Sequence, residues 1–389
     1  MKSFNYYHPT RIQFGWNRIN EIGKIVKRNG EKCLLVTVKP FPVMEEMFSK
    51  VIKLCQDEGV DVFHYDGAIP EPTDECVDIG SEIAKENKVE VLLGVGGGST
   101  MDTAKAIAVG ATHEGNIWDY RLGQKRIESK KILPIIAVPT TGGTGAEVTN
   151  MSVIKSSKDK IKSAVASWNL TPSVALVDPE LTLTVPPYIT ATTGFDAFTH
   201  SFETYINKDS SDFIDLYALD ALKKIIKYLP IAIKDSNNKE AREALSFAAN
   251  LGGLCISNIG TTLPHGIAMA LGGHAKGISH GEGLAIFYPE VNRWTWKHAI
   301  EKYATVGRLF NPELENSSNE LAAEKCCDEI ELFLKKIGLW ISLEDKSVSK
   351  DDFKAITDDA LKLRNYTLHP KIANSDDIFS LLERSYKRD

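Results

Sequence analysis

Short continuous apolar runs alternate with helical stretches through the first half of the chain, from about Arg11 to Asp178. The runs that predict strands are residues 33–38, 60–65, 91–95, 132–139 and 173–178, and stretches such as 48–57 and 73–87 predict helices between them. Strands of a parallel sheet are covered on both faces, so they consist of continuous apolar residues instead of alternating ones. The pattern therefore predicts an α/β domain built on a parallel sheet.

The pattern changes after Val185-Pro186-Pro187-Tyr188. Beyond these prolines the 3.6-residue apolar period of helices dominates to the end of the chain. We therefore predict an α/β domain over residues 1–185 and an all-α domain over residues 186–389. A chain of 389 residues that is 43% hydrophobic and 25% charged has room for both.

Composition and charge narrow the class of protein. The formal charge is −6 and no basic run occurs, which argues against nucleic-acid and membrane-surface partners. The first residues contain no apolar core of signal-peptide length, and no window approaches a membrane span. Six cysteines without Cys-x-x-Cys spacing are interpreted as buried small hydrophobic residues. We expect a cytoplasmic protein.

The first of two glycine-rich loops, residues 96–99, follows the apolar run that ends at Val95 and precedes a helical stretch. Glycines let the backbone approach a phosphate closely, and the N-terminus of a helix attracts anions. The spacing of Ser99 and Asp102 resembles a capping box, which places a helix start there. The pattern Gly-x-Gly-x-x-Gly is incomplete, so a tight turn explains this loop alone about equally well.

The second loop runs from Pro139 to Glu147 and joins threonine hydroxyls to glycines, again after an apolar run. Ligands of parallel sheets bind at the carboxyl ends of the strands. Two such loops in one sheet therefore indicate an extended ligand with a diphosphate, which is the description of a dinucleotide.

Four residues of the second half, Asp196, His200, His265 and His280, form a candidate metal site. Asp196 and His200 fall one turn apart on a predicted helix, and the other two have glycines beside them. One carboxylate with three imidazoles suits Fe(II) or Zn(II) and leaves a coordination position open. Spacing alone leaves this interpretation and four independently packed side chains about equally good.

These segments together resemble the iron-dependent alcohol dehydrogenases, also called group III or Fe-type, over essentially the whole chain. The matching motifs are Pro70-Glu71-Pro72-Thr73, Gly96-Gly97-Gly98-Ser99 with Asp102 and Ala104-Lys105, Pro139-Thr140-Thr141 with Gly143-Thr144-Gly145 and Glu147-Val148-Thr149, Asp178-Pro179-Glu180-Leu181, Gly194-Phe195-Asp196-Ala197 with His200, and His265 with His280-Gly281. The resemblance implies the dehydroquinate synthase-like architecture of that family: an N-terminal dinucleotide-binding α/β domain, an all-α C-terminal domain and an active site in the cleft between them.

The resemblance also implies roles for individual residues. The metal ligands would be the same four residues, holding divalent iron, with zinc, nickel or manganese as alternatives. The cofactor NAD(P)(H) would contact the residues Gly96, Gly97, Gly98, Ser99, Asp102, Thr140, Thr141, Thr144, Val153, Lys162 and Leu181. The implied reaction is hydride transfer between the nicotinamide and a primary alcohol or aldehyde, with reduction of a short, functionalised aldehyde (a diol precursor or an anion) as the expected direction. A homodimer or larger homo-oligomer is implied as well.

Two departures from the family pattern affect the chemistry. Where many relatives have a second histidine four residues after the third ligand, this chain has Met269, which cannot transfer a proton; His274 is our candidate for the proton relay, with bulk water as the alternative. Where NAD-preferring members carry an acid, this chain has Val38 followed by Lys39. Since an acid there repels a 2′-phosphate, NADP(H) is slightly favoured over strict NAD, unless Lys39 simply points into water.

Other interpretations stay open on the sequence. A lyase or cyclase of the dehydroquinate-synthase kind would need a cluster of basic residues around the ligands, where only Lys276 occurs. A glycerol-type polyol dehydrogenase generally uses fewer protein ligands, and a non-catalytic nucleotide-binding scaffold would not need the four ligands. Candidates for the substrate pocket near the ligands are Phe195, Phe198, Phe202, Asn258, Thr261 and Lys276.

Overall fold

The computed structural model describes residues 2–128, 132–158, 161–275 and 277–388. Backbone contacts divide the chain after Val185, into one unit of residues 7–185 and a second of residues 2–6 and 186–388. The first residues belong with the second unit because Phe4 stacks on Phe213, with ring centroids 5.4 Å apart, and Tyr6 packs against the same ring.

The first unit contains eight described strands and four described α-helices. The strands are β1 (Arg11–Phe14), β2 (Lys32–Val38), β3 (Asp61–Ala68), β4 (Val91–Gly96), β5 (Ile135–Pro139), β6 (Met151–Lys155), β7 (Lys162–Ala166) and β8 (Val174–Val177). The helices are α1 (Ile22–Lys27), α2 (Pro42–Asp57), α3 (Asp74–Glu86) and α4 (Gly98–Gly110). Short 3₁₀ turns occur at Arg18–Glu21, Ile117–Tyr120, Ala146–Val148, Trp168–Leu170 and Pro179–Thr182.

Six of these strands form one parallel sheet in the order β1-β8-β5-β4-β2-β3. Apolar side chains alternate between its two faces, so two cores form. Leu34, Val36 and Leu92 pack with α3 and α4, whereas Leu35 and Leu93 pack with α1 and α2. This doubly covered sheet confirms the predicted α/β fold and explains why the strand segments are apolar throughout.

The chain leaves β2 toward β3 at one edge and then returns past β2 to β4. The order of the strands therefore reverses between β2 and β4. Ligands of open α/β sheets bind at such a reversal, beyond the carboxyl ends of the strands. Val38 ends β2 and Gly96 ends β4, so the two segments that the sequence selected for the cofactor lie at this point.

Strands β6 and β7 form a separate antiparallel hairpin, which the apolar pattern did not predict. Lys105 of α4 is completely buried and donates to the carbonyls of Thr149 and Met151 and to the Thr149 hydroxyl. The Ser152 hydroxyl donates to the carbonyl of Asp102 at 2.7 Å. Helix α4 and the hairpin are therefore held together by buried polar contacts.

The second unit is helical, and none of its described residues lies in a strand. Its α-helices are α5 (Pro187–Ile206), α6 (Asp212–Lys234), α7 (Lys239–Asn258), α8 (Leu263–His274), α9 (His280–Thr295), α10 (Ile300–Phe310), α11 (Asn319–Lys336), α12 (Phe353–Ala360), α13 (Asn365–Leu368) and α14 (Ser375–Arg384), with 3₁₀ turns at Trp296–His298, Pro312–Leu314 and Lys350–Asp352. The prediction of an all-α C-terminal region is confirmed.

Helix α9 contains Pro289, which has no N–H to donate to the carbonyl of Ala285. The guanidinium of Arg388 supplies the missing donor at 3.1 Å and also donates to the carbonyl of Ile286. The arginine lies over the ring of Trp340 as well. A residue at the far end of the chain thus compensates for a proline in the helix that begins with a candidate metal ligand.

The six cysteines are buried and free, as predicted. Within the part of the chain that the structure describes, no single helix is long and apolar enough to cross a membrane, although α7 and α8, bent by 95° where they meet, satisfy the criteria of length and composition as a pair.

Candidate metal and dinucleotide sites

The four candidate ligands come from three helices of the helical unit. Asp196 and His200 lie one turn apart in the middle of α5, His265 lies in the first turn of α8, and His280 is the first residue of α9. Ser279 is the N-cap of α9 and forms a capping box, in which its side chain and that of Glu282 each accept a hydrogen bond from the backbone of the other. Helix starts therefore fix two of the imidazoles.

The structure brings the four side chains together around one carboxylate oxygen. The Oδ1 atom of Asp196 lies 3.4 Å from Nε2 of His200 and 3.7 Å from Nε2 of both His265 and His280. The ring of His265 lies 5.0 Å from that of His200 and 5.1 Å from that of His280. Donor atoms of Asp196, His265 and His280 all lie within 4.8 Å of one another, as ligands of a single cation must.

Two of these atoms lack the hydrogen bonds that buried polar atoms normally make, which is expected of atoms that bind a cation. Oδ1 of Asp196 and Nε2 of His265 are buried and have no hydrogen-bond partner. Buried polar atoms without partners are costly, so most proteins avoid them. Here both atoms point at the common centre, and their chemistry is that of ligands for a borderline first-row ion. The residues present therefore fit the divalent metal that the sequence predicts.

Glu203, one turn beyond His200 on α5, was not identified from the sequence. Its side chain is fully buried, and its Oε1 atom lies 2.6 Å from Nδ1 of His265. Its Oε2 atom accepts hydrogen bonds from the backbone N–H and the hydroxyl of Thr262, at 2.7 and 3.0 Å. A carboxylate on Nδ1 fixes the imidazole so that Nε2 presents its lone pair to a cation. The feature of the sequence that could have identified Glu203 is its position: it is a third ionisable residue on the face of α5 that carries Asp196 and His200.

Burial and neighbouring charges shift the pKa values of the site in opposite directions. Burial raises the pKa of Asp196, but the three histidines outweigh it and hold that pKa below its ordinary value. Burial lowers the pKa of His265, but Glu203 and Asp196 raise it to about 9. Burial also lowers the pKa of His200.

Close packing of α9 against α5 requires a glycine beside the last ligand. A Cβ atom on Gly281 would lie 2.2 Å from the carbonyl oxygen of Thr192. Any other residue would push the start of α9, and with it His280, away from Asp196. Gly281 is therefore needed for the geometry of the site.

The three phenylalanines that we expected near the substrate do not lie there. Phe198 and Phe202 follow Asp196 by two and six residues, which places them roughly 200° and 240° around the helix, away from the ligands. Both are fully buried and pack against Tyr288, as does Phe195. They form the aromatic core of the helical unit, and the pocket prediction for them is wrong. Lys276 lies outside the described residues.

His274 lies on the same helix as His265 but nine residues later, which corresponds to about 13 Å along the helix axis. Its Nε2 atom is 2.7 Å from Oδ2 of Asp359. The role of His274 as proton relay stays a prediction, and it requires solvent or further side chains to carry the proton over that distance.

The two glycine-rich loops of the α/β unit lie side by side. Gly96 pairs with Pro139 across neighbouring strands, and the N–H of Thr140 donates to the carbonyl of Gly96 at 2.9 Å. A Cβ atom on Gly98 would lie 2.6 Å from the methyl group of Thr144. Glycine is therefore required where the loops touch, at the N-terminus of α4.

Helix α4 begins at Gly98, with Gly97 as its N-cap. The capping box expected between Ser99 and Asp102 is not formed, because both residues already lie inside the helix. The Ser99 hydroxyl instead accepts a hydrogen bond from the backbone N–H of Glu71. The start of the helix thus keeps the N–H groups that an anion would use.

Several predicted cofactor residues gather around Asp102. Burial raises its pKa to about 6, while Lys105, a hydrogen bond from the backbone of Val153 and the charge of Lys162 act in the opposite direction. Leu181 follows β8 and packs against the core on the α1 and α2 face. The predicted residues thus lie beyond the carboxyl ends of β2, β4, β5 and β8, or on the hairpin, although their contacts with a cofactor stay a prediction.

Comparison with known proteins agrees with these two sites. The family described as iron-containing alcohol dehydrogenase matches residues 9–179, and the C-terminal region of the Fe-containing alcohol dehydrogenase family matches residues 190–386. The NAD-dependent methanol dehydrogenase of Bacillus methanolicus is 32% identical over 381 residues, which cover 98% of this chain and 99% of that protein.

Two solved structures extend the comparison. An archaeal halo-thermophilic alcohol dehydrogenase from a Red Sea brine pool superimposes with a TM-score of 0.94 and 29% identity, covering 99% of this chain and all of its own. The sulfoacetaldehyde reductase of Bifidobacterium kashiwanohense, solved with NAD⁺, gives 0.87 and 31% identity, with complete coverage of both chains. This chain is an alcohol/aldehyde oxidoreductase that belongs to the iron-containing alcohol dehydrogenase family.

Proposed function

We propose that this protein is a metal-dependent NAD(P)H-linked reductase of a short, functionalised aldehyde, and that it catalyses the reverse oxidation of the primary alcohol. The observation that carries the proposal is the convergence of three imidazoles on Asp196, with buried donor atoms of Asp196 and His265 left for a cation. Divalent iron is the proposed metal, with zinc, nickel or manganese as alternatives.

The chain's residues have distinct parts in this reaction. Asp196, His200, His265 and His280 would hold the cation, and Glu203 keeps His265 in the orientation that binds it. When bound, the cation would draw electron density from the substrate oxygen, which activates an aldehyde for reduction or an alcohol for oxidation. The loops at Gly96–Ser99 and Thr140–Thr144 would bind the dinucleotide, whose nicotinamide supplies or accepts the hydride.

A preference for NADPH is the finer part of the proposal. Val38 ends β2 at the reversal of the strand order, and it brings no carboxylate to the position where an acid would repel a 2′-phosphate. The neighbouring Lys39 is exposed and can approach such a phosphate. Val38→Asp should therefore weaken NADPH binding far more than NADH binding, whereas Lys39→Ala should weaken NADPH binding moderately.

The aldehyde is proposed to be small, and similarity to a sulfoacetaldehyde reductase supports testing anionic aldehydes beside neutral ones. Similarity to a methanol dehydrogenase supports the shortest alcohols in the reverse direction. A cytoplasmic location and a homodimer or larger assembly remain predictions that accompany this proposal.

The test is a kinetic assay on protein purified without chelator and loaded anaerobically with Fe(II) or Zn(II). The absorbance of NADH and of NADPH is followed with a panel of short neutral and anionic aldehydes. The proposal expects metal-dependent oxidation of at least one nucleotide, lost in His265→Ala. If the protein bound metal and nucleotide but oxidised neither NADH nor NADPH with any aldehyde, the lyase or cyclase class would be favoured instead. His274→Ala in the same assay tests the proton relay through its kcat.

A further inference from the structure

Glu71 has an unusual backbone conformation for its residue type. Its φ angle is +54°, in the left-handed region that glycine and asparagine tolerate better than glutamate. The residue lies in the connection between β3, which ends at Ala68, and α3, which begins at Asp74. A strained residue persists only where its surroundings hold it, and such residues concentrate at functional sites.

Two contacts hold Glu71, and both reach residues that we assign to the dinucleotide site. Its backbone N–H donates to the hydroxyl of Ser99 in the first turn of α4, at 3.3 Å. Its Oε1 atom lies 3.0 Å from Nζ of Lys162, the first residue of β7. The carbonyl of the next residue, Pro72, accepts from the N–H of Lys155 on the paired strand. Glu71 therefore links the first glycine-rich loop, residues 96–99, to the hairpin of β6 and β7.

The ion pair with Lys162 is not an ordinary surface pair. The side chain of Lys162 is only 9% exposed, and that of Glu71 is 27% exposed. A shielded ammonium needs a partner, because the loss of hydration is otherwise uncompensated. An ammonium group has three N–H donors, of which Glu71 takes one. The carboxylate thus fixes the direction of the ammonium and leaves donors for a ligand.

We propose that Glu71 is a positioning residue for the dinucleotide: it holds the Lys162 ammonium and the Ser99 hydroxyl in the arrangement that receives the ribose and phosphate groups. The inference rests on the proposed cofactor site. The strain at Glu71 is then retained because this backbone conformation lets one residue reach both Ser99 and Lys162. A residue with a purely structural role would affect stability and leave nucleotide affinity unchanged.

The experiment measures NADH and NADPH affinity by fluorescence titration, without metal or substrate. Glu71→Gln keeps the size of the side chain and removes its charge, so the dissociation constant for the preferred nucleotide should rise about tenfold. A double-mutant cycle identifies the route: in a Lys162→Met background, Glu71→Gln should have no further effect. Glu82→Gln, which removes the carboxylate of an exposed pair with Lys85 in the same unit, is the matched control and should bind like wild type.

Glu71→Asn separates backbone strain from charge. Asparagine tolerates the left-handed conformation, so this variant should melt about 2 °C above Glu71→Gln. Both variants lack the carboxylate and should bind the nucleotide equally weakly. Unchanged or tighter binding in Glu71→Gln, or additive effects with Lys162→Met, would overturn the inference alone. A wild-type protein that binds neither nucleotide would overturn the cofactor site as well.

Discussion

Glu203→Gln is the substitution that most directly probes how the helical unit prepares a metal ligand. Glu203 is fully buried and accepts three hydrogen bonds, one from the Nδ1 side of His265 and two from Thr262. Glutamine has nearly the same size but no charge, and only one end of its amide accepts hydrogen bonds. The change therefore leaves the packing intact and removes the carboxylate from behind the imidazole.

The expected magnitude follows from which contacts change when a cation binds. The single accepting oxygen of glutamine keeps the bonds to Thr262 when its NH2 group faces His265. Any bond to Thr262 that is lost is lost in the metal-free and metal-bound protein alike, so it affects folding, by about 1–3 kcal/mol for a buried donor left without an acceptor. The bond to His265 becomes more favourable when Nε2 binds a cation, so its loss affects affinity. Loss of such a partner weakens metal binding about 10- to 100-fold, which corresponds to about 1.4–2.7 kcal/mol.

The assay titrates metal-free protein with Zn(II) in competition with a chromophoric chelator. Circular dichroism and thermal unfolding of the metal-free variant show whether the fold is preserved. The matched control is Glu301→Gln, an exposed glutamate at the start of α10, which should bind zinc like wild type. If a folded Glu203→Gln variant bound zinc with wild-type affinity, Glu203 would have no part in preparing His265, and our account of this contact would be wrong.

Three further predictions concern stability. His369 is fully buried beside the Thr295 hydroxyl, and burial lowers its pKa to about 3. As the pH falls, the unfolded chain therefore takes up a proton first, and the unfolding free energy should fall by about 2 kcal/mol between pH 6.5 and pH 5. Denaturant curves should show this loss in wild type and not in His369→Gln. Lys105→Met leaves buried carbonyls without a donor and should lower the unfolding free energy by about 2–4 kcal/mol. A change below about 0.5 kcal/mol in urea titrations, which is the range of ordinary surface substitutions, would contradict this interpretation. Arg388→Met removes the donor that compensates for Pro289 and should lower the midpoint of thermal unfolding by about 2–4 °C, so an unchanged midpoint would count against that role.

The sheet was predictable because its strands are buried on both faces. Residues 33–38 and 91–95 carry an unbroken apolar signal, and the structure places β2 and β4 over these segments. The hairpin of β6 and β7 was missed because its strands have only five residues each and because polar contacts of Lys105 and Ser152 contribute to its attachment. The local pattern of apolar residues gives no information about such contacts.

The metal ligands were selected by side-chain chemistry and by resemblance, and the structure brings all four together. Glu203 was missed since its role depends on His265, 62 residues later in the chain. The phenylalanines on α5 were misplaced because proximity in sequence was taken as proximity to the site, although the helix turns Phe198 to the opposite face. Glu71 had no interpretation until its backbone angle and its contact with Lys162 were known.

The central claim is that the four ligands and the dinucleotide loops serve one net hydride transfer. Its most direct test incubates the iron-loaded protein with short primary alcohols deuterated at C1 and with NAD⁺ or NADP⁺, followed by mass spectrometry of the nucleotide. The account predicts reduced nucleotide that is heavier by one deuterium, formed by wild type and absent with His265→Ala. Nucleotide that stays oxidised and unlabelled with every alcohol, in a protein that binds both metal and nucleotide, would contradict it.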